Sequence, residues 1–320
     1  MPARERSATA MQAPELIQTQ TLEPVDLESA VEPTPEMQAR ARRLGLAGKL
    51  AIAWLVLVVA AAVLAPVLPL DDPNENFAQI AGQGPGTDGH ILGGDGLGRD
   101  MLSRVVWGSR ASLLIGVGAI VVGLVVGGLL GLMAGYRRGR TETVFSGLFD
   151  VLLSYPQLIL ALTLVTVLAS GEGISSTRRT IVLIFALGVV SIPVLGRITR
   201  ANTLAWSERE FVLAAKAMGA RSRSIMFREV LPNVLPAMFS IALLGVAVVI
   251  VAEGALSVLG VGVQLPTPSW GNIIAEGRAD LRDSPHIVLV PTVVIFLTVL
   301  ALNFLGDVVR ARFDVRESAL

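Results

Sequence analysis

The sequence predicts an all-α membrane protein with six transmembrane helices, and three observations carry that prediction. Charged residues make up only 16% of the chain, well under the roughly 25% of a soluble domain. The apolar residues gather into long blocks, and about 20 in succession cross a bilayer core of about 30 Å. Lys and Arg collect in alternate connections between those blocks, the asymmetry that orients a multi-span chain.

The elements follow in order. Residues 1–39 are polar, and Glu15, Glu23, Asp26, Glu28, Glu32 and Glu36 make them acidic. This composition cannot bury enough apolar surface to offset its ordering entropy, so a disordered cytoplasmic tail is expected. Arg40, Arg42, Arg43 and Lys49 lead into a first helix at about 50–70, too long and too deep in the chain for a cleaved signal peptide. An extracytoplasmic segment extends to residue 107. A transmembrane domain, 108–310, holds five further helices at about 111–135, 144–168, 180–196, 236–256 and 287–309, and 311–320 is a second cytoplasmic tail. The fourth helix contains Pro193, whose freed backbone groups need partners from neighbouring helices, which places it in the bundle interior.

With both termini inside, the inner connections hold Arg40 to Lys49, Arg137, Arg138, Arg140, the run from Arg197 to Arg228, and Arg310, Arg312 and Arg316. The outer connections hold fewer basic residues and carry compensating acids, among them Asp71, Asp72, Asp95, Asp100 and Asp280. Arg178 and Arg179 run against this rule. The second helix carries small residues four apart, Ala119, Gly123, Gly127, Gly131 and Gly135. Such a ridge lets another backbone approach closely. Packing within the subunit is the expected reading, and a face that slides during gating is the sharper alternative.

Several chemistries are excluded or disfavoured. The chain has no cysteine, which removes disulfides, thiol catalysis and thiolate metal sites. Its two histidines, His90 and His286, are far apart, so neither a metal site nor a catalytic residue is expected; His286, after Pro285, reads as a helix-start residue. The net charge of zero gives no basic field for nucleic acid. No Gly-x-x-x-x-Gly-Lys-Ser/Thr is present, and Gly84–Gly89 spells Gly-x-Gly-x-x-Gly without a preceding strand. A secondary carrier would bury several acids at mid-membrane, and these spans are nearly uncharged. An intramembrane enzyme would need a base near Ser154 or Ser240, and none is evident. The ionisable or helix-breaking residues left for a translocation pathway are Asp150, Tyr155, Pro156 and Glu253. Trp54, Trp107 and Trp270 are expected as membrane-interface anchors.

The longest inner connection, 197–235, is the informative one. An amphipathic helix fits up to about Met218, and Gly219 supplies the positive φ that ends it. Ser222 or Ser224 can cap a second short helix that stops near Leu231, because Pro232 disfavours helix in the residue before it. The loop resembles the "EAA" signature of binding-protein-dependent ATP-binding-cassette importers through Ala214, Ala215, Gly219, Val230, Leu231 and Pro232. Leu213 stands where the signature has Glu, and Glu210 lies one turn earlier. His90–Arg104, Gly254–Gly271 and Leu302–Arg310 resemble, in the same order, segments of the C-type subunits of oligopeptide and dipeptide permeases.

The resemblance covers about residues 40–316. It implies a type I ABC importer transmembrane domain in a bacterial cell membrane. This chain would pair with a homologous B-type permease subunit, two nucleotide-binding ATPase subunits and an extracellular substrate-binding protein. ATP and Mg would be bound by the partner subunits, with no cofactor on this chain. Similar C-type subunits serve dipeptides, oligopeptides, nickel chelates or glutathione. Glu210, Ala214, Ala215, Gly219, Ala220, Arg221, Ser222, Arg223, Leu231 and Pro232 are the implied ATPase-coupling residues.

Overall fold

The computed structural model describes residues 45–170 and 175–317, with side chains as far as residue 311. The acidic stretch 1–39, Arg40, Arg42, Arg43 and the side chains of Arg312 and Arg316 lie outside the described residues. The described helices are α1 (Leu46–Leu64), α2 (Met101–Arg137), α3 (Gly139–Leu153), α4 (Gln157–Leu168), α5 (Ser176–Ser207), α6 (Glu210–Ala217), α7 (Ser222–Val258), α8 (Trp270–Gly277) and α9 (His286–Glu317). Five of them, α1, α2, α5, α7 and α9, are each long and apolar enough to cross a bilayer. The pair α3 and α4 is apolar enough to count as a sixth span if taken as one, bent by 86° at the break.

The helix ends differ from those expected from hydropathy. α1 stops at Leu64, short of residue 70, because Pro66 and Pro69 cannot continue it; the Leu64 carbonyl instead accepts Val67 N at 2.8 Å and Leu68 N at 3.1 Å. α2 starts ten residues before 111, at Met101, where the Asp100 carboxylate caps it by accepting Ser103 N at 2.7 Å. The third span is not one straight helix. Pro156 disfavours the α region in the residue before it, and Ser154-Tyr155-Pro156 forms the corner. α5 runs past residue 196 to Ser207, its polar inner end having masked the helical continuation.

Two corrections concern the inner loop. The helix expected up to Met218 is broken at Glu208–Arg209, leaving α6 as a separate element of 8 residues. The second helix does not stop near Leu231 but continues as α7, through Pro232 and Pro236, to Val258. A π turn over Met226–Val230 widens the backbone one turn before Pro232, which relieves the clash between the ring and the Arg228 carbonyl. The Asn233 side-chain amide donates to the Glu229 carbonyl at 2.6 Å. Neither Ser222 nor Ser224 caps α7; Arg221 takes the cap position without a side-chain bond.

The glycine ridge of α2 packs against α5 within the chain. A Cβ on Gly131 would overlap the Gly196 carbonyl oxygen and lie 2.9 Å from Thr199 Cβ; one on Gly135 would lie 2.7 Å from the Arg200 carbonyl oxygen. Gly127 faces the Ile192 carbonyl, and Gly123 would meet Ser191 Cβ at 2.8 Å. Two backbones are thus in contact along several turns, the arrangement that small residues at i, i+4 permit. α1 lies outermost, against α9 and α2, and Trp54 Nε1 donates to Thr298 Oγ1 of α9 at 3.1 Å. A continuous apolar core joins α2, α5, α7 and α9, and a smaller one gathers around Leu132, Trp206, Val212 and Ile225 at the end that carries α6.

Candidate functional site

The connection after α5 is built as a small docked helix with one free face. α6 turns Val212 and Ala215 inward onto Trp206, Ile225, Met226 and Val230. Its opposite face leaves Glu210, Phe211, Leu213 and Ala214 exposed, and Met218 at the tip is 81% exposed. Gly219 has φ +78°, Gly219 N donates to the Lys216 carbonyl at 3.0 Å, and Ala220 N donates to the Ala215 carbonyl at 3.1 Å. This pair of bonds is a Schellman closure, which requires the left-handed residue that glycine supplies. Ala220, Arg221, Ser222 and Arg223 follow as an exposed turn into α7. Leu231 is half-buried and Pro232 exposed, both inside α7. The base of the loop is anchored by Arg138 Nη2 donating to Glu208 at 2.6 Å and by Lys216 Nζ standing 5.6 Å from the Tyr136 ring.

The broken span supplies a second feature. On α3, Asp150 pairs with Arg197 of α5, Glu142 pairs with Arg200, and Phe149 fills the space above Gly196. α3 is therefore fastened to α5, and α4 begins after the Tyr155-Pro156 corner. Beside α4 lies a cavity of about 480 Å³ lined by Ile120, Ala161, Gly245 and Val249 and, among polar residues, Gln157 and Ser191. None of the four pathway residues named from the sequence lines it. Asp150 and Tyr155 are exposed near the corner and Pro156 is exposed within it.

Glu253 stands elsewhere, a turn before the end of α7 and 0% exposed. Its carboxylate accepts Ser257 Oγ and Ser269 Oγ at 2.9 Å and Ser112 Oγ at 3.3 Å. Ser112 and Ser269 in turn accept backbone N–H groups from Trp270 and Asn272, so their own hydroxyl protons point to Glu253. The group joins α2, α7 and α8 and faces no open mouth. Trp270 is likewise fully buried, donating Nε1 to the Val105 carbonyl at 3.0 Å, and is a core residue instead of an interface anchor.

The segments 71–100 and 277–286 meet over this end. Arg104, fully buried, pairs with Asp95 at 2.7 Å and with Glu276 of α8, and Arg99 bonds the same two acids. Burial raises the Glu276 carboxyl above its ordinary range, and the Arg99 charge opposes that rise. Ser284 Oγ donates to the Gly82 carbonyl at 2.6 Å, and His286 Nε2 is 3.0 Å from the Gly94 carbonyl. Arg179, which defied the charge rule, donates to the Gly262 carbonyl at 2.9 Å and so shares this end with the loop after α7. Composition had missed these contacts, which join residues up to 202 positions apart. It had also missed the approach of Asp71 and Asp100 to His90.

Known proteins place the chain. Residues 127–318 match the family described as binding-protein-dependent transport system inner membrane component. The chain is 35% identical over 262 residues to the glutathione transport system permease protein GsiD of Pectobacterium atrosepticum, covering 82% of this chain and 84% of that one. It is 36% identical to the di/tripeptide transport system permease protein DppC of Pseudomonas aeruginosa, over 91% and 95% of the two chains. The fold matches that of the inward-facing MetNI methionine ABC transporter with a TM-score of 0.53 at 20% identity, over 66% of this chain and 97% of that one. A bundle with five or six spans and a small docked helix, matched to such a family over more than half its length, is a multi-pass membrane permease: the chain belongs to the binding-protein-dependent transport system inner membrane components and has the transmembrane fold of a type I ABC importer.

Proposed function

We propose that the chain is the C-type subunit of an ATP-driven importer of short peptides. In this reading it forms half of the pathway and is driven through α6. The observation that carries the proposal is the two-faced build of α6: Val212 and Ala215 are seated in the bundle, while Phe211, Leu213 and Met218 stand exposed beside Arg221 and Arg223. An apolar face rimmed by cations suits a separate protein that grips the helix. Leu213 replaces the ionic contact of the family signature with an apolar one, and Glu210 stands at the start of the same helix.

ATP and Mg are bound by two partner ATPase subunits. Their closure moves α6, and with it α5 and α7, toward an outward-open arrangement that accepts cargo from an extracellular binding protein. A ligand shifts such an equilibrium only through its different affinity for the two states, and here ATP is that ligand. A homologous B-type subunit supplies the other half of the pathway. The concentration of Arg137, Arg138, Arg140 and the 197–228 cations near α6 supports a cytoplasmic location for that end and for both termini. The relatives that transport dipeptides, di/tripeptides and glutathione, itself a tripeptide, support a short-peptide cargo. The cavity lined mainly by Ile, Leu, Val and Ala suits a conduit permissive of side-chain identity.

The test is Gly219→Pro in the reconstituted transporter. Proline fixes φ near −65° and cannot adopt the +78° of this residue, so the closure of α6 fails while the spans remain. Cargo-stimulated ATP turnover is expected to vanish with membrane insertion unchanged. Transport at the wild-type rate in this variant would remove α6 as the coupling element.

A further inference from the structure

We infer that Asp71, His90 and Asp100 form a binding site for a divalent transition-metal ion at the outer end of α2. His90 Nδ1 lies 2.9 Å from Asp100 Oδ1 and 3.7 Å from Asp71 Oδ2, and one ligand atom from each residue falls within 4.8 Å of the others. Nitrogen and oxygen ligands held at about 2.1 Å from one Zn²⁺ lie about 3.0–3.4 Å apart, so small side-chain adjustments bring all three onto an ion. One imidazole with two carboxylates is a donor set for Zn²⁺ and its neighbours in the first transition row; Mg²⁺ and Ca²⁺ favour oxygen alone.

The charge balance points the same way. The described residues give Asp71 and Asp100 no Arg or Lys partner, since Arg99 and Arg104 are engaged by Asp95 and Glu276. With His90 neutral, two carboxylates share this site without a fixed cation, and a dipositive ion neutralises them.

The ligands are also held in place. Asp100 Oδ2 accepts Ser103 N, and Ser103 Oγ donates to the Asp71 backbone carbonyl, so one serine positions both acid-bearing segments. The His90 ring rests against Phe77 at 5.1 Å between centroids, and its carbonyl accepts Gly86 N and Gly93 N. Asp71 is half exposed, which leaves a route and a coordination position for water, while Asp100 is only 6% exposed. Binding requires Nδ1 free of its proton, so the imidazole adopts the Nε2–H tautomer. The ion then ties the exit of the first span to the head of the second.

The experiment is a Zn²⁺ titration of the purified full-length chain after chelator treatment, read by competition with a fluorescent zinc chelator. One saturable site is expected, weakened at least tenfold in both Asp71→Asn and His90→Gln, unchanged in Asp283→Asn, and silent toward Mg²⁺. Asp71→Asn keeps the proposal falsifiable if the histidine variant misfolds, because it leaves the backbone carbonyl that holds Ser103 intact. Failure of the wild type to compete for micromolar Zn²⁺, or equal affinity in wild type and Asp71→Asn, overturns the proposal. His90 is in that case a hydrogen-bond partner of the helix-capping Asp100 only.

Discussion

Adding one methyl group to the seam between α2 and α5 should separate the two helices. In Gly131→Ala the new Cβ overlaps the Gly196 carbonyl oxygen and lies 3.0 Å from the Gly196 carbonyl carbon and 2.9 Å from Thr199 Cβ. Ordinary carbon contacts begin near 3.5 Å, so the axes must part by about 0.5–1 Å at that turn. The obstruction is backbone, which no rotamer change removes. Overpacking costs about 1–3 kcal/mol, and the upper part of that range applies, offset by the ~0.5–1 kcal/mol that Ala gains over Gly inside a helix. The net loss is about 2 kcal/mol, a fall in melting temperature of about 4–8 °C by the scaling for soluble domains of 150–250 residues. Thermal unfolding of purified protein in detergent measures it. Gly147→Ala on α3 is the control, because its Cβ meets nothing within 4 Å, and it should be neutral or slightly stabilising. Equal melting shifts in the two variants would refute backbone contact at the seam.

The remaining expectations concern the end that carries α8. Arg104→Leu strands Asp95 and Glu276 with only Arg99 between them, and loss of one buried partner costs about 3–5 kcal/mol; a melting temperature within a degree of wild type would contradict the network. Glu253→Leu leaves three serine hydroxyls without their acceptor, at about 1–3 kcal/mol for a buried orphan. Glu253→Gln keeps an acceptor oxygen and should melt between Glu253→Leu and wild type. The reverse order would show that the carboxylate does not hold α8 to α2 and α7.

What the sequence reveals depends on how local each cause is. Gly219 was legible as a helix stop because a positive φ after an apolar-periodic run is a one-residue requirement, and the backbone there has φ +78°. The glycine ridge was legible because its spacing is set by one helix alone. The end of α5 was not, since Arg197 and Arg200 lower the hydropathy without interrupting the helix; their carboxylate partners come from α3, 47 and 58 residues away. The passage of α7 through Pro232 depends on a π turn that no residue type announces. Glu253 was visible as an unusual acid near a span end, yet its three serines come from α2, α7 and the cap of α8. Trp270 was misjudged because a tryptophan's amphipathic character suits a membrane interface and a buried hydrogen bond equally well.

The length of α5 has a geometric consequence. Its 32 residues make a rod about 48 Å long at ~1.5 Å each, with Arg179 gripping the Gly262 carbonyl near one tip and Ser207 meeting α6 at the other. A tilt of about 5° over that length displaces one tip by ~4 Å relative to the other, and Pro193 inside the helix is where a bend would take up part of it. The Arg179 contact at one end and the approach of Ser207 to α6 at the other are thus set by the tilt of a single helix axis.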